Sequence, residues 1–320
     1  MLARREFGRV TLATWLATAA PAAAQTRAPI DPNAAGNATI RGRAGDSDIV
    51  IQTTARLAGA IHSLRWSGVE FVDSLDHGRQ IQSASNLDVD GAPMIGETFN
   101  PTEAGSRDDH VGPRSTSRLR ELKVLAPNEL RTTNQMAFWL RPGEKSRGNP
   151  ARNRTLLSNH IVSKHVTIGV AGLPHAIAYD VAFTLPADER HAYAQFEAVT
   201  GYMPPRFEVF WRVDMKSRTI VPLDDGPGEQ RDPVVLATAN GSHAMGVFSP
   251  DQPASGFPNT GYGRFRFKSA RVTKWNCVFR VRDPRGLPPG PYRYRHFLAV
   301  GTRADVESTL AALVARYRRA

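Results

Sequence analysis

The 320-residue sequence contains one cysteine, Cys277, so no internal disulfide can form. A lone thiol cannot build a thiolate zinc site. Cys277 lies in the apolar run Val272–Val281 and reads as a buried filler rather than a nucleophile. No apolar stretch approaches the roughly 20 residues that a bilayer core requires, so no membrane span is expected. The chain also lacks a Gly-x-Ser-x-Gly elbow, a phosphate-cradling glycine loop, a dinucleotide fingerprint and a His-Glu-x-x-His pair. Esterase, nucleotide-dependent and zinc-protease readings fall with them, and no cofactor is expected. There is no internal repeat of fixed period.

What is present begins with Arg4, Arg5 and Arg9, followed by an apolar run from Val10 to Ala20 and the small residues Ala22, Ala23 and Ala24. That is the order of a cleavable export signal over residues 1–24. Arg4-Arg5-Glu6-Phe7 resembles the core of a twin-arginine signal, with Gly8 in place of a bulky apolar residue. Residues 25–38 are rich in proline, alanine and asparagine and read as a flexible tether. Residues 39–320 show no composition break and are expected to form one domain, in the periplasm or secreted. The formal charge is +11; the signal carries three arginines and one glutamate, so +9 remains after its removal. The basic residues are dispersed along the chain, which argues against a nucleic-acid partner.

Short alternating or β-branched runs follow the tether: 48–54, 60–66, 80–84, 128–140, 160–170, 177–185, 193–200, 207–213, 233–238, 244–248, 265–281 and 292–300. Turn-forming clusters separate them at 141–154, 222–233, 249–263 and 283–291. One helix is expected at the C-terminus. Thr302 and Asp305 form a cap pattern there, and Val306, Leu310, Leu313, Val314 and Tyr317 recur at helical spacing. The expected fold class is all-β, a large antiparallel β-sandwich with one C-terminal α-helix.

The segment Gly59-Ala60-Ile61-His62-Ser63-Leu64-Arg65-Trp66-Ser67-Gly68-Val69-Glu70-Phe71 resembles the opening hairpin of the galactose mutarotase-like superfamily. Ser67-Gly68 suits the turn of such a hairpin. The resemblance implies a supersandwich with a carbohydrate site on its concave face. The superfamily includes sugar epimerases and domains of glycoside hydrolases and polysaccharide lyases. The histidine motif and acidic loop of true mutarotases are missing, so epimerase residues do not carry over.

Three polar segments carry the candidate chemistry. Asp76, His77, Arg79, Gln80 and Gln82 cluster after the hairpin; amides offer donor and acceptor to vicinal sugar hydroxyls, and Arg79 can hold a carboxylate in bidentate fashion. Gln80 and Gln82 are expected on one strand face. The loop from Asn100 through Glu103, Asp109 and His110 supplies three carboxylates and a histidine, with Glu103 the leading general acid or base. Glu197 ends a strand, and Tyr202, after a glycine turn at Gly201, is expected to floor a sugar subsite with Trp211. His160 and His165 fall on opposite faces of a strand, so no metal set is expected among them, while calcium at loop carboxylates stays open.

The leading reading is a glycan-acting enzyme, glycoside hydrolase-like. A non-catalytic carbohydrate-binding or envelope protein and a lyase for acidic glycans are the alternatives. The oligomeric state is open. Expressed with an export apparatus, the protein is expected to begin at or near Gln25; intact mass showing residues 1–24 retained on the exported protein would refute the cleavage.

Overall fold

In the computed structural model, residues 36–109, 114–170, 172–251 and 261–317 are described. The expected signal and most of the expected tether lie outside them, as does His110. The first strand, Ala38–Ala44, starts inside the expected tether. It pairs in a four-stranded antiparallel sheet with Ser47–Thr53, Ile61–Trp66 and Val69–Glu70. Ser67 (φ 48°) and Gly68 (φ 75°) make the tight turn between the last two, with Trp66 opposite Val69. The carboxylate of Glu70 then stitches this hairpin, accepting from the amides of Leu64 (2.9 Å) and Val72 (3.0 Å).

The remaining long strands form one 15-stranded sheet that doubles back on itself. On one side Ala244–Phe248, Gly290–Gly301, Leu173–Leu185, Leu157–Val170 and Glu129–Phe138 lie in that order. On the other lie Gln82–Leu87, Tyr193–Met203, Val272–Arg282 and Tyr262–Phe267. The two-residue strand Pro101–Thr102 joins the halves. Strands far apart in this order face each other: Phe183 meets Phe196 at 4.8 Å between ring centroids, and Phe279 stacks on Tyr294 at 4.0 Å. This is the expected β-sandwich. Alternation explains it locally, since Ser158, His160, Val162, Lys164 and Val166 point inward from one strand while the residues between them face out.

The strands depart from the expected runs in several places: Ala38–Ala44 precedes the first of them, and Ile220–Leu223 and Gly228–Gln230 lie in or beside the expected turn cluster 222–233. The expected single run 265–281 is two strands, Tyr262–Phe267 and Val272–Arg282, joined by a turn at Lys268–Arg271. Arg118–Ala126 was missed because it is a mostly solvated, charged strand that pairs only with Glu129–Phe138. The α-helix Arg303–Tyr317 is capped as expected: Asp305 N donates to Thr302 Oγ1 (3.2 Å) and Thr302 N donates to Asp305 Oδ2 (2.9 Å). It buries Val306, Leu310, Leu313 and Val314 on the outer face of Val234–Ala237 and Ala244–Phe248, which is why those two strands are buried throughout. No helix among the described residues is long and apolar enough to cross a membrane.

A polar seam runs through the sandwich. Lys164, from one half, forms an ion pair with Glu103, next in sequence to the joining strand, and both are essentially without solvent contact (2% and 0% exposed). Glu103 Oε2 also accepts the amide of Ser83 (3.0 Å). Ser83 Oγ donates to the Ala198 carbonyl (2.7 Å), so its contact with Tyr179 (2.8 Å) must be accepted from the phenol. Burial raises Tyr179 well above the ordinary phenol range, and Glu103 adds to it. His296 lies 6.2 Å from the Tyr179 ring and donates to the Tyr179 carbonyl (3.2 Å). Burial holds His296 neutral, at about 4.

Two outcomes follow from the seam. Lys164→Met, which strands a buried carboxylate, is expected to cost about 3–5 kcal/mol, and Lys164→Met combined with Glu103→Leu to recover much of it; denaturant unfolding that finds the single variant no worse than the double would disprove the coupling. For His296 the folded value lies below the unfolded 6.5, so the unfolded chain takes up the proton first. Stability is therefore expected to fall by roughly 3 kcal/mol as pH drops from about 6.5 to about 4. His296→Phe should flatten that window in pH-dependent unfolding, and an unchanged profile would count against it.

Candidate functional site

The outer face of the second half holds a cleft of about 840 Å³. Its floor is built by alternation on adjacent strands. Gln82–Leu87 turns Gln82, Ala84 and Asn86 toward the cleft, while Ser83 enters the core seam. Tyr193–Met203 contributes Gln195 and Glu197, then Thr200 and Tyr202. The change from odd to even positions comes from a bulge, seen as a register break between Glu197 and Val199 against Val272–Arg282. Without it Glu197 and Tyr202 would face opposite sides. Val272–Arg282 adds Lys274 and Asn276, and Tyr262–Phe267 adds Phe265. Trp139, Glu97, Arg147 and Glu229 stand on the rim.

Charge inside the cleft is locally compensated. Lys274 Nζ lies 3.2 Å from Glu197 Oε2 and 5.0 Å from the centre of the Tyr202 ring. Burial works against the Lys274 charge, but Glu197 and Tyr202 outweigh it and hold the ammonium above its ordinary range. Arg280 reaches both oxygens of Glu229 (2.8 and 2.9 Å) and Gln195 Oε1 (3.1 Å). Glu97 accepts a hydrogen bond from Ser146. Asn276 is buried, and its Oδ1 has no hydrogen-bond partner among the described residues. Gly263 makes room for that carboxamide, since a Cβ there would lie 2.2 Å from Oδ1.

Of the residues expected to act, Gln82, Asn100, Glu197 and Tyr202 meet in this cleft. Asn100 is fixed by donating to the Ser85 carbonyl (2.5 Å). Glu103 is not there: its carboxylate is enclosed with Lys164, out of reach of a substrate, and burial raises it despite the lysine. A polar loop sequence could not distinguish the two placements. Asp109 is a loop clamp, accepting from Thr116 N (2.7 Å), Thr116 Oγ1 (2.8 Å) and Ser106 N (3.1 Å).

The Asp76–Gln80 stretch is a turn, not a sugar grip. Asp76 accepts from Gly78 N (2.8 Å) and pairs with Arg79 (3.2 Å), which also reaches Asp73 (3.7 Å). His77 is buried against the Arg56 carbonyl (3.1 Å), and buried Gln80 donates to the Asp76 carbonyl. These residues carry Gly78 against Trp139 and Gln82 into the cleft. Gly201 makes no turn; it lies mid-strand because a Cβ there would meet the Trp275 indole at 2.5 Å. Trp211 is far from Tyr202 in the fold, packed by the helix with Arg303 4.9 Å from its ring centre.

Gln195, Lys274, Asn276 and Glu229 were missed by sequence reasoning. The alternation in 193–197 and 272–276 carried a signal for the first three, but the adjacent strand pairing that joins them was not legible. A second hollow of about 780 Å³ lies on the outer face of the other half, around Arg131, Asp180 and Arg293. It lacks an amide floor, and its Arg295 is held by Asp180 (2.9 and 3.2 Å).

The histidines needed one more correction. His160 and His165 do face opposite sides, and His165 pairs with Glu129 (2.5 Å). His160, however, meets two residues of the 186–192 loop, Glu189 (2.8 Å) and, through it, His191 (3.1 Å from Glu189). Burial opposes the Glu189 charge, but hydrogen bonds and charge from both histidines outweigh it and hold the carboxyl at about 2.

No family model and no curated protein matches the sequence. Among solved structures, an α-galactosidase from Lactobacillus brevis matches with TM-score 0.46 and 8% identity over 83% of this chain. This chain spans 40% of that enzyme's length. A galactose mutarotase-like protein from Lactobacillus casei matches with TM-score 0.42 and 9% identity, over 82% of this chain and 99% of its own. A heparan sulfate lyase from Pedobacter heparinus gives TM-score 0.42 and 9% identity, over 84% and 35%. The chain thus bears a weak and partial structural resemblance to galactose mutarotase-like proteins.

Proposed function

We propose that the protein is an exported, glycan-acting enzyme that takes a poly- or oligosaccharide into the cleft over Gln82–Leu87, Tyr193–Met203 and Val272–Arg282. The observation that carries the reading is the floor itself: amides from Gln195 and Asn276 interleaved with Tyr202 and Phe265, beside Gln82, whose own amide is held by Gly78 O and Ala104 N. Amides match vicinal hydroxyls, and aromatic faces match the apolar face of a pyranose ring.

In this reading Glu197 is the proton-transfer group, with Lys274 and Tyr202 setting its surroundings and Glu229, held by Arg280, and Glu97, held by Ser146, as further carboxylates of the cleft. A second reading, elimination on an acidic glycan, is favoured by the Lys274 ammonium beside Tyr202: the lysine would neutralise the uronate, the Tyr202 phenolate would take the C5 proton, the C4–C5 double bond would form as the C4–O bond breaks, and the phenol would return that proton to the departing oxygen. Arg79, engaged with Asp73 and Asp76, has no part in either. Periplasmic or secreted placement rests on the order of residues in 1–24.

Mature protein and its Glu197→Gln variant, incubated with neutral and acidic glycans, are expected to bind the same glycan. Glu197→Gln should lower turnover at least about hundredfold, with products followed by mass. Unsaturated, ultraviolet-absorbing products would select the elimination. Binding by both proteins with products from neither would replace the enzyme with a carbohydrate-binding protein, and absence of binding would end the cleft proposal.

A further inference from the structure

At the end of the sandwich, three side chains from two separate segments converge on one point. His160 comes from Leu157–Val170, and Glu189 and His191 from the loop that enters Tyr193–Met203. Their ligand-type atoms all lie within 4.8 Å of one another. His160 Nε2 and His191 Nε2 approach the same carboxylate oxygen, Glu189 Oε2, at 2.8 and 3.1 Å. Around a tetrahedral ion with bonds of 2.0–2.2 Å, donor atoms stand about 3.4 Å apart, so small side-chain adjustments would admit one.

The surroundings favour an ion as well as a hydrogen-bonded trio. His191 Nδ1 lies 2.6 Å from the Asp88 carbonyl oxygen, which can only accept, so that nitrogen carries the proton. Without a metal Nε2 donates to the Glu189 carboxylate, so an ion binding there would replace the Nε2 proton while Nδ1 keeps its own. The Nδ1 contact is the outer hydrogen bond that fixes the tautomer of metal-binding histidines. The loop is also held before any ligand arrives. Asp88 Oδ1 accepts the amides of Ala192 and Tyr193 (3.0 Å each), and Leu287 N donates to the His191 carbonyl (2.6 Å). Phe99 packs on both imidazoles, at 6.1 and 5.6 Å. Both histidines are nearly buried, at 2% and 4% exposed, while the Glu189 side chain retains 23%, leaving a path from solvent.

We infer that His160, Glu189 and His191 form a binding site for a zinc-class divalent ion that clamps the 186–192 loop to the Leu157–Val170 strand. Two imidazoles and one carboxylate suit borderline ions, whereas calcium and magnesium favour sets made of oxygen donors. The site stands apart from the cleft residues, so it does not depend on the carbohydrate proposal.

The mature protein, with any polyhistidine tag removed, is stripped with chelator, exposed to zinc chloride, desalted and assayed for bound metal. About one retained equivalent is expected, with a raised melting temperature that calcium does not reproduce. Glu189→Gln, which keeps side-chain size, is expected to weaken zinc at least tenfold, and His191→Ala to abolish retention; circular dichroism checks that each is folded. Should His191→Ala fail to fold, Glu189→Gln decides. No retained zinc on the wild type, or equal retention by wild type and folded variants, would reduce the trio to a hydrogen-bonded network.

Discussion

The buried pair of Lys164 and Glu103 constrains everything around it. A lysine and a glutamate withdrawn from water are tolerated only when each has the other and the remaining polar atoms nearby are satisfied. Here the amide of Ser83 completes the carboxylate, and the Ser83 hydroxyl carries the chain of contacts to Tyr179 and Ala198. These contacts join both halves of the sandwich where the sheet doubles back. They also fix the rotation of Gln82–Leu87, because a strand that points Ser83 into the seam must point Gln82 and Ala84 away from it. The cleft therefore inherits its orientation from a contact on the opposite side of the same strand.

The second constraint is the bulge after Glu197. A regular strand cannot place an acid at 197 and a phenol at 202 on one face, and the inserted residue lets it do so. It also sets Lys274 between them, within reach of the carboxylate and over the ring. The cleft thus combines a charge-compensated acid with amide side chains that are themselves held by the protein, Gln82 by Gly78 O and Ala104 N and Gln195 by Arg280. Glu103 has the reverse character, its charge committed wholly to structure.

Much of the fold was legible because strand alternation and helix capping are local. Thr302 and Asp305 announced the helix start, Ser67-Gly68 the hairpin turn, and the β-branched runs nearly all of the long inner strands. What stayed hidden is not local. Glu103 and Asp109 sit in a sequence as polar as any substrate loop, yet one is enclosed by a lysine 61 positions away in the chain and the other by Thr116. Gln82 lines the cleft, but Gln80, two residues earlier, leaves the alternation because the strand has not begun there. The His160, Glu189 and His191 trio escaped because its spacing in sequence resembles no metal motif, and only the pairing of the strands brings its members together.

The strand Gln82–Leu87 links all of these features. Ser83 reaches the seam, Gln82, Ala84 and Asn86 floor the cleft, and Asp88, immediately after the strand, holds the loop of Glu189 and His191 through Ala192 and Tyr193. Asn86 in turn accepts from the amide of Glu97 on the cleft rim (2.8 Å). A short strand with one side chain to the core seam and the next to the cleft can serve both at once, although all six of its residues are buried. Its length leaves little slack, because a one-residue slip would exchange the two faces and break the buried pair and the cleft together. The polar core is thus part of what sets the orientation of the cleft, even though none of its side chains reaches it.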